Sequence, residues 1–194
     1  MRSPSSPTPT AAAGPSSRSP AGPDLVERLT ERLRLVPIGR QHAGELWRLH
    51  WDESVAAWYW GRYTAQMAER AAANMGRGWQ TRGVHKWLAY HRGTGELIGR
   101  GGLSHKTLEG IEQLEVGWLL RRDYWGSGYA TEIGRAGLDF GFGELGATEV
   151  VAFTEPHNAR SRAVMVRLGM RYQREITRDG ERFALYTITA PSRD

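Results

Sequence analysis

Glycines 126 and 128 stand between an apolar run, Leu114–Leu120, and an amphipathic stretch from about Thr131 to Leu145. Glycines in that place let successive backbone N–H groups turn toward one point, and the helix that follows adds the positive end of its dipole. Such a loop suits an anion of pyrophosphate size, although a plain turn would carry the same glycines. It lacks the Gly-Lys-Ser/Thr ending of a P-loop. It also lacks the third glycine of a dinucleotide loop, because Thr131 occupies that position. Glu115 is a carboxylate inside the apolar run, where it must be paired or face a wet cleft. It is therefore either a general base or half of an ion pair, with Glu112 as the nearby rival. Asn158 and Ser161 open a second helical stretch, in which Asn158 suits an N-cap. His157 beside them reads as a solvent-exposed loop residue. The six His make no i, i+4 pair and Cys is absent, so no metal site, thiol nucleophile or disulfide framework is expected.

The elements that must position these groups follow from local patterning. Leu33–Ile38 reads as a strand, and residues 39–63 and 65–80 as helices. Strands are expected at His85–His91 and Glu96–Ser104, joined by a turn at Gly93-Thr94-Gly95. Leu114–Leu120 is nearly all apolar, as in a strand covered on both faces. A helix over Thr131–Leu145 ends at Gly146, a strand spans Glu149–Thr154, and a helix over Asn158–Leu168 ends at Gly169. Met170–Ile176 and Arg182–Thr189 form a terminal hairpin around Asp179-Gly180. The order of elements implies a mixed α/β sheet with both hairpins and helical crossovers.

The chain has 194 residues, which suits one domain. Residues 1–24 hold six of the nine Pro, six Ser and no aromatic residue, and read as a disordered tail before a domain over 25–194. Ala11–Ala13 is too short for the core of a secretory signal, and no apolar run approaches the length of a membrane helix, so a cytoplasmic protein with no membrane partner is expected. The net charge is +5, and only Lys86 and Lys106 among the 26 basic residues are not Arg. That balance permits an anionic ligand such as a nucleotide phosphate. The Arg are scattered, so no specific nucleic acid is expected; an RNA-associated protein stays as a rival class.

The run Trp125-Gly126-Ser127-Gly128-Tyr129-Ala130 resembles the Gln/Arg-x-x-Gly-x-Gly/Ala loop of the GNAT superfamily of acyl-CoA N-acyltransferases, with Trp125 in place of Gln or Arg. Its continuation to Thr131-Glu132, the Asn158-Ala159-Arg160-Ser161 run with Leu168-Gly169-Met170, and the opening Thr30-Glu31-Arg32-Leu33-Arg34-Leu35 are similar to the branch of the ribosomal-protein N-terminal acetyltransferases. The resemblance spans about residues 30–189. It implies a GNAT-like fold, a central six- to seven-stranded mixed sheet flanked by about four helices.

It also implies direct attack of an amine on the thioester of acetyl-CoA. Backbone N–H groups of Gly126, Ser127, Gly128, Tyr129, Ala130 and Thr131 would hold the pyrophosphate. The strand edge at Leu119, Leu120 and Arg121 would pair with pantetheine between two splayed strands. Arg121 or Arg122 would reach a phosphate, and Asn158 and Ser161 would contact the cofactor. Glu115 would be the base and Ser161 the general acid. Many members place a Tyr acid seven residues after the Asn, and here Met165 stands there.

Trp51-Asp52-Glu53 and Trp58-Tyr59-Trp60 would lie near the acceptor mouth, with most of the aromatics in the core. The acceptor would be a protein N-terminal amine or a small amine such as an aminoglycoside or polyamine. A non-catalytic acyl-CoA-binding protein on the same fold is the second class. A homodimer through the terminal hairpin or a sheet edge is compatible with the sequence.

Overall fold

The computed structural model describes residues 27–57 and 61–191. The tail over 1–24 and the Trp58-Tyr59-Trp60 cluster lie outside the described residues.

Eight strands form one sheet: β1 (Arg28–Leu29), β2 (Leu33–Pro37), β3 (Lys86–His91), β4 (Leu97–Leu108), β5 (Ile111–Leu120), β6 (Glu149–Thr154), β7 (Arg171–Arg178) and β8 (Glu181–Thr189). Their spatial order is β1-β2-β3-β4-β5-β6-β8-β7. Among the described residues five α-helices accompany them: α1 (Ala43–Trp51), α2 (Glu53–Ala56), α3 (Ala65–Arg82), α4 (Tyr129–Gly143) and α5 (Ala159–Arg167). The mixed α/β sheet with hairpins and helical crossovers read from the sequence is the one observed. It has one strand and one helix more than the sequence count. The extra strand is β1, two residues paired to Leu35 and Arg34. The extra helix arises because Asp52 breaks the first helical region in two, its carboxylate accepting the Ser54 N–H to start α2.

Strand β4 is longer than expected. The strand expected to end at Ser104 continues through His105-Lys106-Thr107 to Leu108, and pairs with β5 in a ten-pair ladder. The turn is Glu109-Gly110, both at positive φ (49° and 83°), which matches the twist of a two-residue hairpin. The terminal hairpin turns in the same way at Asp179-Gly180.

Two sets of helices cover the sheet. In α3, Ala68, Ala72, Met75 and Trp79 recur at helical spacing and are buried; Thr64 caps the start and Gly83, at φ 67°, ends it. Ala68, Ala72 and Met75 pack with Leu46 of α1 against Ile38 and Leu88. Ile133 and Leu138 of α4 and Met165 of α5 belong to the main core with Leu103, Val116, Val150 and Ala152. Alternate residues of β5 therefore meet different helices: Val116 meets α4, whereas Leu119 packs on Leu49 and Val55 of α1 and α2.

Candidate active site

Strands β5 and β6 are the one parallel pair in the sheet and share a single register pair, Glu115 with Val151. Beyond Glu115, β5 continues to Leu120 with β4 on one edge and an open edge on the other. The Arg121 N–H donates to the Ile98 carbonyl at 2.9 Å, on the β4 side. Antiparallel alternation then turns the backbone groups of Leu120 and Trp118 toward the open edge. Of the edge expected at Leu119–Arg121, the backbone groups of Leu120 face the open side and those of Leu119 and Arg121 face β4. The Leu120 carbonyl already accepts the Trp125 indole N–H at 2.9 Å.

A turn of 3-10 helix, Arg122–Tyr124, leads into the glycine loop. Gly126 and Gly128 have φ of 74° and 84°, a region open to glycine and strained for other residues. Gly128 is the N-cap of α4 and supplies no side-chain acceptor, so the first-turn N–H groups remain for a ligand. Helix α4 begins at Tyr129, two residues earlier than its expected start, which brings Tyr129, Ala130 and Thr131 into that turn. The Thr131 hydroxyl is buried beside it with no hydrogen-bond partner. Uncapped amides and an orphaned hydroxyl at a positive helix end fit a pyrophosphate.

The Asn158–Ser161 turn stands beside this loop. The Arg160 guanidinium lies 5.0 Å from the centre of the Trp125 ring, and that of Arg122 lies 5.9 Å away. Trp125 thus occupies the family's Gln/Arg position as a platform for two cations. Asn158 accepts the Ser161 N–H at 3.0 Å and so caps α5. The Ser161 side chain is half-buried. Arg121 turns toward Asp52 and Asp123, at 3.5 and 3.6 Å, rather than toward the loop amides. Asp52 and its neighbours are therefore held against the end of β5, where the Arg122 N–H also donates to Ser54 Oγ. Met165 is buried in the main core.

Glu115 sits where β5 and β6 part. Its Oε2 accepts the Lys86 ammonium at 2.7 Å and the Ser104 hydroxyl at 3.1 Å. Lys86 also donates to the Gly102 carbonyl at 2.7 Å. Both charged residues are buried. Burial alone would push the Glu115 carboxyl up; Lys86, Lys106 and Ser104 outweigh it and hold the carboxyl below its ordinary range. Burial lowers Lys86 to about 8 against the pull of Glu115. Two histidines stand near this pair, His50 buried and His85 half-buried. His85 is lowered to about 4 by burial and by Lys86, and His50 to about 3 by burial and by Arg100, whose Nε donates to it at 3.1 Å. By strand alternation Lys86, Arg100, Ser104 and Glu115 share the sheet face that carries α1 and α3.

Sequence reasoning missed Lys86, Arg100 and His50. Lys86 left one trace, a rare lysine within the apolar strand Lys86–His91 of an Arg-dominated chain.

Residues 32–171 match the family described as an acetyltransferase (GNAT) domain, and the chain belongs to that family of acetyltransferases. It is 30% identical over 163 residues to an uncharacterized protein of Bacillus subtilis, YkkB, covering 81% of this chain and 92% of that one. It is 31% identical over 150 residues to the FsC-acetyl coenzyme A-N(2)-transacetylase of Aspergillus fumigatus, covering 73% of this chain and 63% of that one. An acetyltransferase from Agrobacterium tumefaciens superposes with a TM-score of 0.71 at 26% identity, over 89% of this chain and 99% of the other. Two more distant structures share the fold. Ribosomal-protein-S5-alanine acetyltransferase from Vibrio fischeri has a TM-score of 0.68 at 17% identity, over 84% of this chain and 96% of its own. The aminoglycoside acetyltransferase AAC(6')-Ib in complex with coenzyme A has 0.66 at 18%, over 81% and 94%.

Proposed function

We propose that the protein transfers the acetyl group of acetyl-CoA to a primary amine by direct attack within a ternary complex. The observation that carries this reading is the parting of β5 from β6 after Glu115, with the open edge leading into an uncapped helix N-terminus. An extended pantetheine arm fits the first feature and a pyrophosphate the second. Bound acetyl-CoA supplies the thioester; the remaining work belongs to side chains.

In this reading Gly126 to Thr131 hold the pyrophosphate through backbone amides, and Arg122 and Arg160 offset its charge. Trp118 and Leu120 orient the arm. Asn158 shapes the turn that presents Ser161, which passes a proton to the departing sulfur and takes one in turn from solvent. Glu115 takes the amine proton through a water, since the residue is buried and its Oε2 is held by Lys86 and Ser104. A free α-amine, with a pKa of about 7.7–8.0, needs only such modest help. A protein N-terminus is the first acceptor class and a small amine the second. Asp52 and Glu53, beside the exposed Trp51, offer an acceptor ammonium carboxylates and an aromatic face. The catalytic unit in this reading is residues 25–194, acting in the cytoplasm.

Calorimetry with acetyl-CoA and free-thiol release with a panel of amines test it, beside Gly128→Glu. Micromolar binding that the variant abolishes, with thiol release that needs an amine, is the expected result. Binding without turnover for any amine would favour the non-catalytic acyl-CoA binder. No binding by the folded chain would overturn both.

A further inference from the structure

Thr30-Glu31-Arg32 joins β1 to β2, a hundred residues in sequence from α4, yet it closes on the glycine loop. Glu132, in the first turn of α4, is the hub. Its Oε1 accepts the Thr30 hydroxyl at 2.6 Å and the Arg32 N–H at 2.8 Å. Its Oε2 accepts Arg32 Nε at 2.8 Å and pairs with Nη2 at 2.7 Å. The remaining arm of the same guanidinium, Nη1, donates to the Ser127 carbonyl at 2.8 Å. The group also lies 4.2 Å from the centre of the Tyr129 ring. Burial would raise the Glu132 carboxyl, but the hydrogen bonds from Thr30 and Arg32 prevail and keep it ionised below the ordinary range.

The Ser127 carbonyl and the Gly128 N–H belong to one planar trans peptide, so they point in opposite directions. Holding the carbonyl on Arg32 aims the Gly128 N–H away from it. With glycines at 126 and 128 this peptide has little steric reason to stay in one orientation. A flip would place a carbonyl dipole where an N–H stood and would repel an anion.

We propose that Arg32, held by Glu132 and Thr30, is a positioning residue that locks the Ser127–Gly128 peptide in its anion-binding orientation. The inference rests on the pyrophosphate reading of the loop. It assigns the segment before β2 to cofactor affinity rather than to the chemical step. Arg32 suits this because its rigid fork reaches the carboxylate and the carbonyl through separate nitrogens, whereas a Lys ammonium would have to draw both acceptors onto one atom.

The test uses the full chain and the variants Glu132→Gln, Arg32→Lys, Thr30→Val and Thr30→Ser, with Glu109→Gln as a distant ion-pair control. Two quantities are read: amide hydrogen exchange of residues 126–131 without ligand, and Kd, KM and kcat for acetyl-CoA. Glu132→Gln and Arg32→Lys are expected to speed exchange in the loop and to raise Kd and KM about tenfold, with kcat within about twofold. Thr30→Ser should match the wild type, Thr30→Val should fall between, and the control should change neither reading. Unchanged loop exchange in Glu132→Gln overturns the proposal, whether or not the chain binds acetyl-CoA. A loss of kcat with KM intact overturns it as well. Failure of the wild type to bind acetyl-CoA would instead sink the pyrophosphate reading, and loop exchange would still decide whether Arg32 holds the peptide.

Discussion

Glu115 shows how one residue's role depends on a partner far away in sequence. The carboxylate inside an apolar strand was legible as an anomaly, and its two readings, base or ion pair, were both open. The structure supplies Lys86 as the partner, and a role in catalysis now has to operate through that pair. Removing one member strands a buried charge, so Lys86→Met is expected to cost about 3–5 kcal/mol in urea unfolding. Lys86→Met combined with Glu115→Leu should cost less, because no charge is left behind. The pH dependence has two limbs. The folded Glu115 carboxyl lies below its unfolded value, so its contribution is present above about pH 4.3 and is lost as pH falls through the lowered value. Folded Lys86 titrates at about 8 against an ordinary 10.5, so between these values the unfolded chain holds the extra proton and stability rises with pH. Unfolding at fixed temperature across both windows checks the signs; a flat alkaline limb would contradict the burial of Lys86. For catalysis, Glu115→Gln is expected to lower kcat by about 10²-fold or more with little change in acetyl-CoA affinity.

At the scale of elements, helices read clearly and one hairpin did not. α3 and α5 carry their own stops and starts: Thr64 and Gly83 for one, Asn158 and Gly169 for the other. Such signals lie within a few residues of the structure they specify, so they survive without tertiary context. The outer half of β4 has no such signal. His105-Lys106-Thr107 becomes strand because ladder pairing with β5 outweighs its polar composition. Two substitutions probe the elements that hold the site. Asn158→Ala should cost about 1 kcal/mol of stability by removing the α5 cap, and Asn158→Asp should retain most of it, as measured by thermal unfolding. Gly128→Ala forces a side chain to φ 84° and should cost about 1–2 kcal/mol, with a smaller loss of acetyl-CoA affinity than Gly128→Glu.

For the whole molecule, the site depends on how the sheet is assembled. β5 serves β4 along its full length and β6 at one point, and that imbalance opens the cleft. The packing of side chains across the sheet relies on small residues in β4. A Cβ on Gly102 would meet the Trp87 ring at 2.3 Å, on a backbone with φ 110°. Gly102→Ala is therefore expected to destabilise the fold by about 3 kcal/mol or more, seen as a fall in the urea midpoint. A midpoint equal to the wild type would show that Trp87 can move aside. The sequence by itself determined the order and type of the elements apart from β1 and α2, the glycine loop between strand and helix, and the ends at Asn158 and Gly169, because periodicity, turn chemistry and caps act over neighbouring residues. The resemblance of the loop added the family. Only the tertiary structure decided that Glu115 meets Lys86, that Arg32 reaches Ser127, and that Leu120 rather than Leu119 faces the open edge. Those facts depend on strand register and on which face each strand turns to its neighbours, and pairing between distant segments sets both.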